Sequence, residues 1–283
     1  MRKNKTFLLD LDGTMYCGNT LIEGAKVFVD WLLEQKQDFL FLTNNATRTA
    51  EQNVAHMEKM GYRGIEGRHF FTSAMASARY VAKQSSLRRA YVIGMDGLKE
   101  ALETEGFQIV DRDADFVFVG LDKFADYRKY SDALSQLLSG AKLIGTNFDR
   151  IIATSEGFDV GNGSIVVMLE YASSQQSPRI GKPYAPILDL ALEELQLKKE
   201  DVIIVGDNLE TDIRLGFEQN VETVLVTTGV HKKEDMERLG IYADHVVDDL
   251  RELIEWIILR RHTEHNLWCT VCAQSHSQLG IIV

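Results

Sequence analysis

Four clusters of residues have the types and spacing that chemistry needs. Asp10 and Asp12 stand two residues apart in Asp10-Leu11-Asp12-Gly13-Thr14, closing the apolar run Thr6–Leu11. Two carboxylates at a strand's end reach one site if the strand breaks there, which Gly13 permits; one can be a nucleophile and the other a general acid and base. Asp-Gly is also a common turn pair, so the motif alone has a plain structural reading. Thr43-Asn44-Asn45 follows a second apolar run, Phe39–Leu42. A hydroxyl and backbone amides there can hold phosphate oxygens, or simply cap a helix. Gly181-Lys182-Pro183 pins a lysine where it can neutralise charge developing on a phosphate and its nucleophile; in isolation it also reads as a surface loop. Gly206-Asp207-Asn208-Leu209-Glu210-Thr211-Asp212 sets acidic oxygens after the run Asp201–Gly206. Such oxygens suit a hard cation such as Mg²⁺, whose octahedron phosphate and water complete. Asp212 equally fits the first turn of a helix through its dipole.

Elements that would position these clusters are readable from periodicity. Short apolar runs at Thr6–Leu11, Phe39–Leu42, Ala90–Gly94, Phe116–Leu121, Lys142–Thr146, Asp201–Gly206, Val221–Val226 and His245–Val247 predict strands. Between them, helical spacing predicts helices over 22–36, 48–60 (stopped by Gly61), 97–105, 126–139, 164–172, 211–219 and 248–259. This alternation builds βαβ units and a mainly parallel sheet. Ligands bind such sheets at the carboxyl ends of the strands, where all four clusters fall. The only three prolines lie between Pro178 and Pro186 and mark the return from an inserted middle segment; the opposite crossing is placed near Ser77.

Composition excludes several classes. The chain has 283 residues and a net charge of −11, which speaks against a nucleic-acid partner and requires local cations around any phosphate ester. No apolar run approaches membrane-spanning length, and the start lacks a signal-peptide core. Three cysteines are too few for a disulfide framework. A cytoplasmic protein with no membrane partner is expected, and a homodimer is an assembly the sequence allows.

Taken together and in this order, the four motifs resemble those of the haloacid dehalogenase-like (HAD) superfamily, in its NagD-like, para-nitrophenylphosphatase subfamily. The resemblance covers roughly residues 5 to 260 and includes Thr227-Thr228-Gly229-Val230. It implies an α/β fold, with a doubly wound Rossmann-like core of residues 1–77 and 178–261, an inserted α/β cap of 78–177, and a tail of 262–283. The implied function is Mg²⁺-dependent hydrolysis of small phosphomonoesters such as sugar phosphates or nucleotides, through an aspartyl-phosphate. Asp10 would be nucleophile and metal ligand. Asp12 would be general acid and base, with its carbonyl on the metal. Thr43, helped by Asn44, would bind phosphate, Lys182 would balance charge, and Asp207 would bind the metal directly. Asp212 would act through a metal-bound water or from outside the ligand ring. Phosphatases of the superfamily carry an acid at the Asp12 position, whereas the dehalogenase and P-type ATPase branches lack one. Thr146-Asn147-Phe148-Asp149 has the TNxD shape of the subfamily's cap, but the Pro and Gly pattern that usually follows is poorly kept over Ile151–Gly163.

Other signals are weaker. His262, His265, Cys269 and Cys272 offer ligands for a zinc, at a spacing no common zinc module uses. Cys17, Trp31, Trp256 and Phe39–Phe41 read as packing. A phosphotransferase or a non-catalytic sensor of phosphorylated metabolites would share the four motifs. No acceptor site is marked, however, and every catalytic position is intact.

Overall fold

The structure, a computed structural model, describes residues 5–154 and 157–260. In chain order the first part supplies β1 (Thr6–Leu9), a small hairpin β2 (Tyr16–Cys17) and β3 (Thr20–Leu21), α1 (Glu23–Glu34), β4 (Phe39–Thr43), α2 (Ala50–Lys59), β5 (Phe70–Thr72) and α3 (Ser73–Gln84). Next come β6 (Arg89–Ile93), α4 (Asp96–Thr104), β7 (Gln108–Ile109), β8 (Phe116–Val119), α5 (Tyr127–Leu138), β9 (Lys142–Gly145), the hairpin β10 (Ile151–Thr154) and β11 (Gly157–Val160), and α6 (Asn162–Ser173). The last part holds α7 (Ala185–Leu195), β12 (Val202–Gly206), α8 (Arg214–Gln219), β13 (Glu222–Val226), α9 (Asp235–Leu239), β14 (His245–Val247) and a helix over 250–260.

Six strands form one all-parallel sheet in the order β14-β13-β12-β1-β4-β5. The chain starts at its centre, moves out to β5, and later returns to β12 beside β1. The order therefore reverses between β1 and β12, and that crevice is where a doubly wound sheet binds ligands. Register makes the three central strands end level: Leu9 pairs with both Val205 and Phe41. A second parallel sheet, β7-β6-β8-β9, is built entirely from residues between β5 and β12.

Strand alternation distributes the core. Leu8, Leu40, Leu42, Phe71, Val202 and Ile204 face one side of the large sheet, and Phe7, Leu9, Phe39, Phe41, Phe70, Ile203 and Val205 face the other. The first side is continuous with one face of the second sheet, through Ala90, Val92, Phe116 and Phe118. Helix α3 fits between the two because its packed residues are small: Ala74, Ala76, Ala78 and Ser77 are all buried. Thr72 caps it by accepting from the Met75 amide at 3.3 Å.

The crossing expected near residue 77 falls inside this helix, Ser73–Gln84. Two turns of small residues carry no breaker, so nothing there ends the helix. Short β5, α3 and α7 were absent from the periodicity reading, and so were both hairpins. Helix 2 starts two residues later than expected, since Thr49 and Gln52 form a reciprocal capping box. Cys17 is exposed on β2 rather than packed. Trp31 and Trp256 do pack against the core. The sequence motif His262, His265, Cys269 and Cys272 lies outside the described residues. Among those described, no helix is long and apolar enough to cross a membrane.

Phe41 is fully buried and its ring packs against Phe39 and Phe70 at centroid separations of 5.3 and 5.0 Å. Phe41→Ala should destabilise the fold by about 3–5 kcal/mol, measured as a lowered urea midpoint with an unchanged slope.

Candidate active site

Asp10 is the first residue beyond β1, and its amide still donates to the Val205 carbonyl at 2.9 Å. The sheet bond holds the carboxylate at the sheet edge before the chain turns away. The turn is closed by Gly13 N donating to Tyr16 O at 2.7 Å, with Gly13 at φ +90°. That conformation strains any residue with a Cβ. A Cβ there would also overlap the Asp207 carboxylate.

Asp207 leaves β12 at the neighbouring position and is buried. Thr14 Oγ1 donates to its Oδ1 at 3.1 Å, and the Val230 amide donates to its Oδ2 at 2.7 Å. Thr228 Oγ1 donates to the Gly13 carbonyl at 2.8 Å, tying the loop after β13 to the turn after β1. Asp212 sits on a π-helical turn, Leu209–Ile213, just before α8. Its Oδ2 accepts from the Asn208 amide at 3.3 Å.

Lys182 enters from the loop between α6 and α7 and is 3% exposed. Its ammonium donates to Asp10 Oδ1 at 2.5 Å, Asp212 Oδ1 at 2.6 Å and the Leu42 carbonyl at 2.7 Å. All three of its protons are thereby used. Removing a cation from water is costly unless it is paired and hydrogen-bonded, and both conditions are met. Burial works against the Lys182 charge, but Asp10 and then Asp212 outweigh it and hold its pKa above the ordinary lysine value.

The carboxylates are pushed the other way. Burial raises Asp10 to about 6, with Lys182 opposing and Asp212 adding. Burial, then the charges of Asp10 and Asp212, raise Asp207 to about 8. Asp12 is raised by the atoms enclosing it and then by the Asp10 charge. Its side chain is itself exposed to solvent, so the Asp10 charge is the firmer of the two causes. Asn45 Nδ2 donates to Asp12 Oδ2 at 3.3 Å.

Carboxylate oxygens of Asp10, Asp207 and Asp212 lie within 4.8 Å of one another. One lysine cannot neutralise three such groups, and the charges of Asp10 and Asp212 add to burial in raising Asp207. Converging hard oxygens with unmet charge fit a divalent cation. The structure thus gathers Asp10, Asp207, Asp212 and Lys182 at one point, with Asp12 and Thr43 beside it. The Asp12 side chain is not one of the three grouped carboxylates.

The Asn44 side chain, expected beside Thr43 as a helper in phosphate binding, is engaged within the protein. It is buried: Oδ1 accepts from Lys182 N at 2.8 Å, while Nδ2 donates to Lys182 O at 2.9 Å and to both Asp149 oxygens at 3.1 and 3.2 Å. Thr43 is buried at the end of β4, and its hydroxyl accepts from the Asn45 amide at 3.0 Å. Sequence reasoning also missed Thr14 and the Val230 amide as partners of Asp207. Their signal was present, since both belong to motifs already singled out.

A doubly wound sheet with a lysine-bridged carboxylate cluster at its switch point defines a phosphoryl-handling α/β hydrolase. Family comparison agrees: residues 7–108 match the model of the haloacid dehalogenase-like hydrolases, and residues 179–253 match the related HAD-hydrolase-like model. The chain is 38% identical over 256 residues to an acid sugar phosphatase of Staphylococcus saprophyticus, covering 90% of this chain and 98% of the relative. It is 37% identical to the 5′-nucleotidase YutF of Bacillus subtilis, covering 91% and 100%. A solved p-nitrophenyl phosphatase from Archaeoglobus fulgidus superposes with a TM-score of 0.82 at 30% identity, covering 89% and 99%. The chain belongs to the haloacid dehalogenase-like hydrolases, as a phosphatase of their NagD-like, p-nitrophenylphosphatase branch.

The raised carboxyls make a pH prediction. Between the unfolded carboxylate range near 4 and the folded value of about 8, the native state keeps a proton on Asp207 that the unfolded chain has lost. Stability of metal-free protein must therefore fall as pH rises across that window. Urea midpoints of EDTA-treated protein should be higher at pH 6 than at pH 8, and Mg²⁺ should recover the loss at pH 8. A midpoint that rises with pH without metal would contradict the electrostatics of the cluster.

Proposed function

We propose that this chain hydrolyses small phosphomonoesters, sugar phosphates or nucleotides among them, with Mg²⁺ as cofactor and an aspartyl-phosphate on Asp10 as intermediate. The observation that carries the reading is the buried Lys182 ammonium held between Asp10 and Asp212, with a second carboxylate, Asp12, two residues from the first. The relatives named above act on sugar phosphate, nucleotide and p-nitrophenyl phosphate by their names, which supports the substrate class.

In this reading Asp10 attacks phosphorus while the ester P–O bond breaks, and Asp12 donates its proton to the departing oxygen. Asp12, now a carboxylate, takes a proton from the water that attacks the phosphoaspartate, and inorganic phosphate leaves. Its raised pKa favours the protonated form needed first. Lys182 keeps the Asp10 carboxylate oriented and offsets negative charge as the phosphoryl group arrives. Thr43 lies at the end of the neighbouring strand as a phosphate contact. When bound by Asp10, Asp207, Asp212 and the Asp12 carbonyl, Mg²⁺ supplies the positive charge that a phosphate dianion needs beside these acids. An Asp212 oxygen lies within 4.8 Å of one from each of Asp10 and Asp207, which suits a role beside the metal, directly or through its water.

Residues of the second sheet, between β5 and β12, act as the cap over this edge, with the cytoplasm as the place of work. Any partner other than a phosphorylated metabolite is unnecessary to the reaction.

Two variants separate the roles. With p-nitrophenyl phosphate, whose phenolate needs no proton to leave, Asp12→Asn should still transfer the phosphoryl group. It should then stall, giving a burst of nitrophenolate and added mass on Asp10. With a sugar phosphate the same variant should lose about 10²-fold or more in the transfer step. Asp10→Asn should give neither burst nor turnover. Identical behaviour of the two variants on both esters, with no trapped phosphoenzyme, would refute the assignment. Phosphate release that survives EDTA would refute the metal.

A further inference from the structure

The TNxD loop after β9 has no task in the reaction above, yet it touches the site. Asp149 accepts from Asn44 Nδ2 with both oxygens, and Asn44 closes on both polar groups of the Lys182 backbone. The orientation of the Asn44 amide is thereby fixed by chemistry: Lys182 N can only donate, while Lys182 O and the Asp149 carboxylate can only accept. Flipping the amide would set its oxygen against a carbonyl and a carboxylate and its NH₂ against an N–H. Asp149, the charged acceptor, adds most to that penalty.

The loop itself is braced against the segment that carries Lys182. Phe148 lies under the Arg179 guanidinium, 3.6 Å from ring centroid to carbon, and edge-on to Tyr184 at 6.2 Å. Arg179 is in turn held by Glu170 at 2.8 Å. Asn147 Nδ2 donates to the Asn44 carbonyl at 2.8 Å. Gly181 fits only because it lacks a side chain, since a Cβ would sit 2.7 Å from the Thr146 carbonyl and 2.8 Å from Asn44 Oδ1.

We propose that Asp149 is a positioning residue for phosphoryl transfer: it locks Asn44, and Asn44 locks the backbone of Lys182 so that the ammonium stays between Asp10 and Asp212. The second sheet thus contributes to the chemistry through one carboxylate, besides covering the site. The proposal rests on the charge-balancing role given to Lys182 above. A lysine whose backbone is held at one amide-to-amide clamp loses alignment when the clamp can rotate, and misplacement by about 1 Å can cost up to about 10²-fold in rate.

Steady-state kinetics with p-nitrophenyl phosphate and Mg²⁺ test it. Asp149→Ala should lower kcat roughly 10-fold while KM stays within about twofold, because Lys182 acts on charge that develops in the transition state. Asp149→Asn, which can accept the same bond, should keep kcat within about threefold of the parent. In an Asn44→Ala background, Asp149→Ala should cost nothing further, since the two act in series. Should Asp149→Ala fail to fold by circular dichroism, Asp149→Glu takes its place, with the same loss in kcat alone expected. A rise in KM at constant kcat would make Asp149 a substrate contact and overturn the proposal. Additive losses with Asn44→Ala, or no loss at all, would overturn it too. Lys182→Ala run alongside separates the two levels: if it stays fully active, the site reading itself has failed, whereas if it is inactive and Asp149→Ala is normal, only the relay has.

Discussion

One buried ammonium organises this molecule's active edge. Among the described residues, the Lys182 ammonium reaches two of the three convergent carboxylates and a strand carbonyl at once. Without it, Asp10 and Asp212 would be buried beside each other with no neutralising charge, a cost of several kcal/mol per ion in a desolvated site. With it, charge is still not balanced: burial first, and then the charges of Asp10 and Asp212, raise the pKa of Asp207. The stability and the chemistry of the site are thus two readings of the same charge imbalance.

Bringing that ammonium to its place takes parts from across the chain. Asp10 and Asp207 come from the two strands on either side of the sheet's switch point, Leu42 from the next strand, and Lys182 from a loop outside the sheet. The loops approach so closely that side chains are excluded: a Cβ on Gly229 would overlap the Asp207 carboxylate, as one on Gly13 would. Thr14 and the Val230 amide then use that closeness to fix both Asp207 oxygens.

Much of this was legible beforehand because it is local. An apolar run ending in acids marks a buried strand with a site at its tip, and β1, β4 and β12 were read to within two residues. What escaped was non-local. Phe70–Thr72 is too short to show a period, and its identity as a strand depends on pairing with Phe41 and Leu42. Helix α3 hides in a run of alanines and serines whose packing partners lie in α4 and α7. The task of Asn44 could not be read at all, since its partners are 105 and 138 residues away, and a buried amide goes to whichever polar groups the fold brings to it.

The central position of β1 has a consequence for how the protein is made. Its neighbour β12 pairs Thr6 with Val202, so one side of the strand that leads to Asp10 stays open until about 200 residues more have been synthesised. At roughly 5–20 residues per second, that is about 10 to 40 seconds during which an apolar strand edge leaves the ribosome unpaired. The intervening sheet, whose strands β6, β7, β8 and β9 pair only with one another, can complete its hydrogen bonding in that interval. It gives the waiting first half an apolar surface to fold against. Residues between β5 and β12 thus leave the ribosome, and can pair among themselves, before the strand that completes the centre of the first sheet.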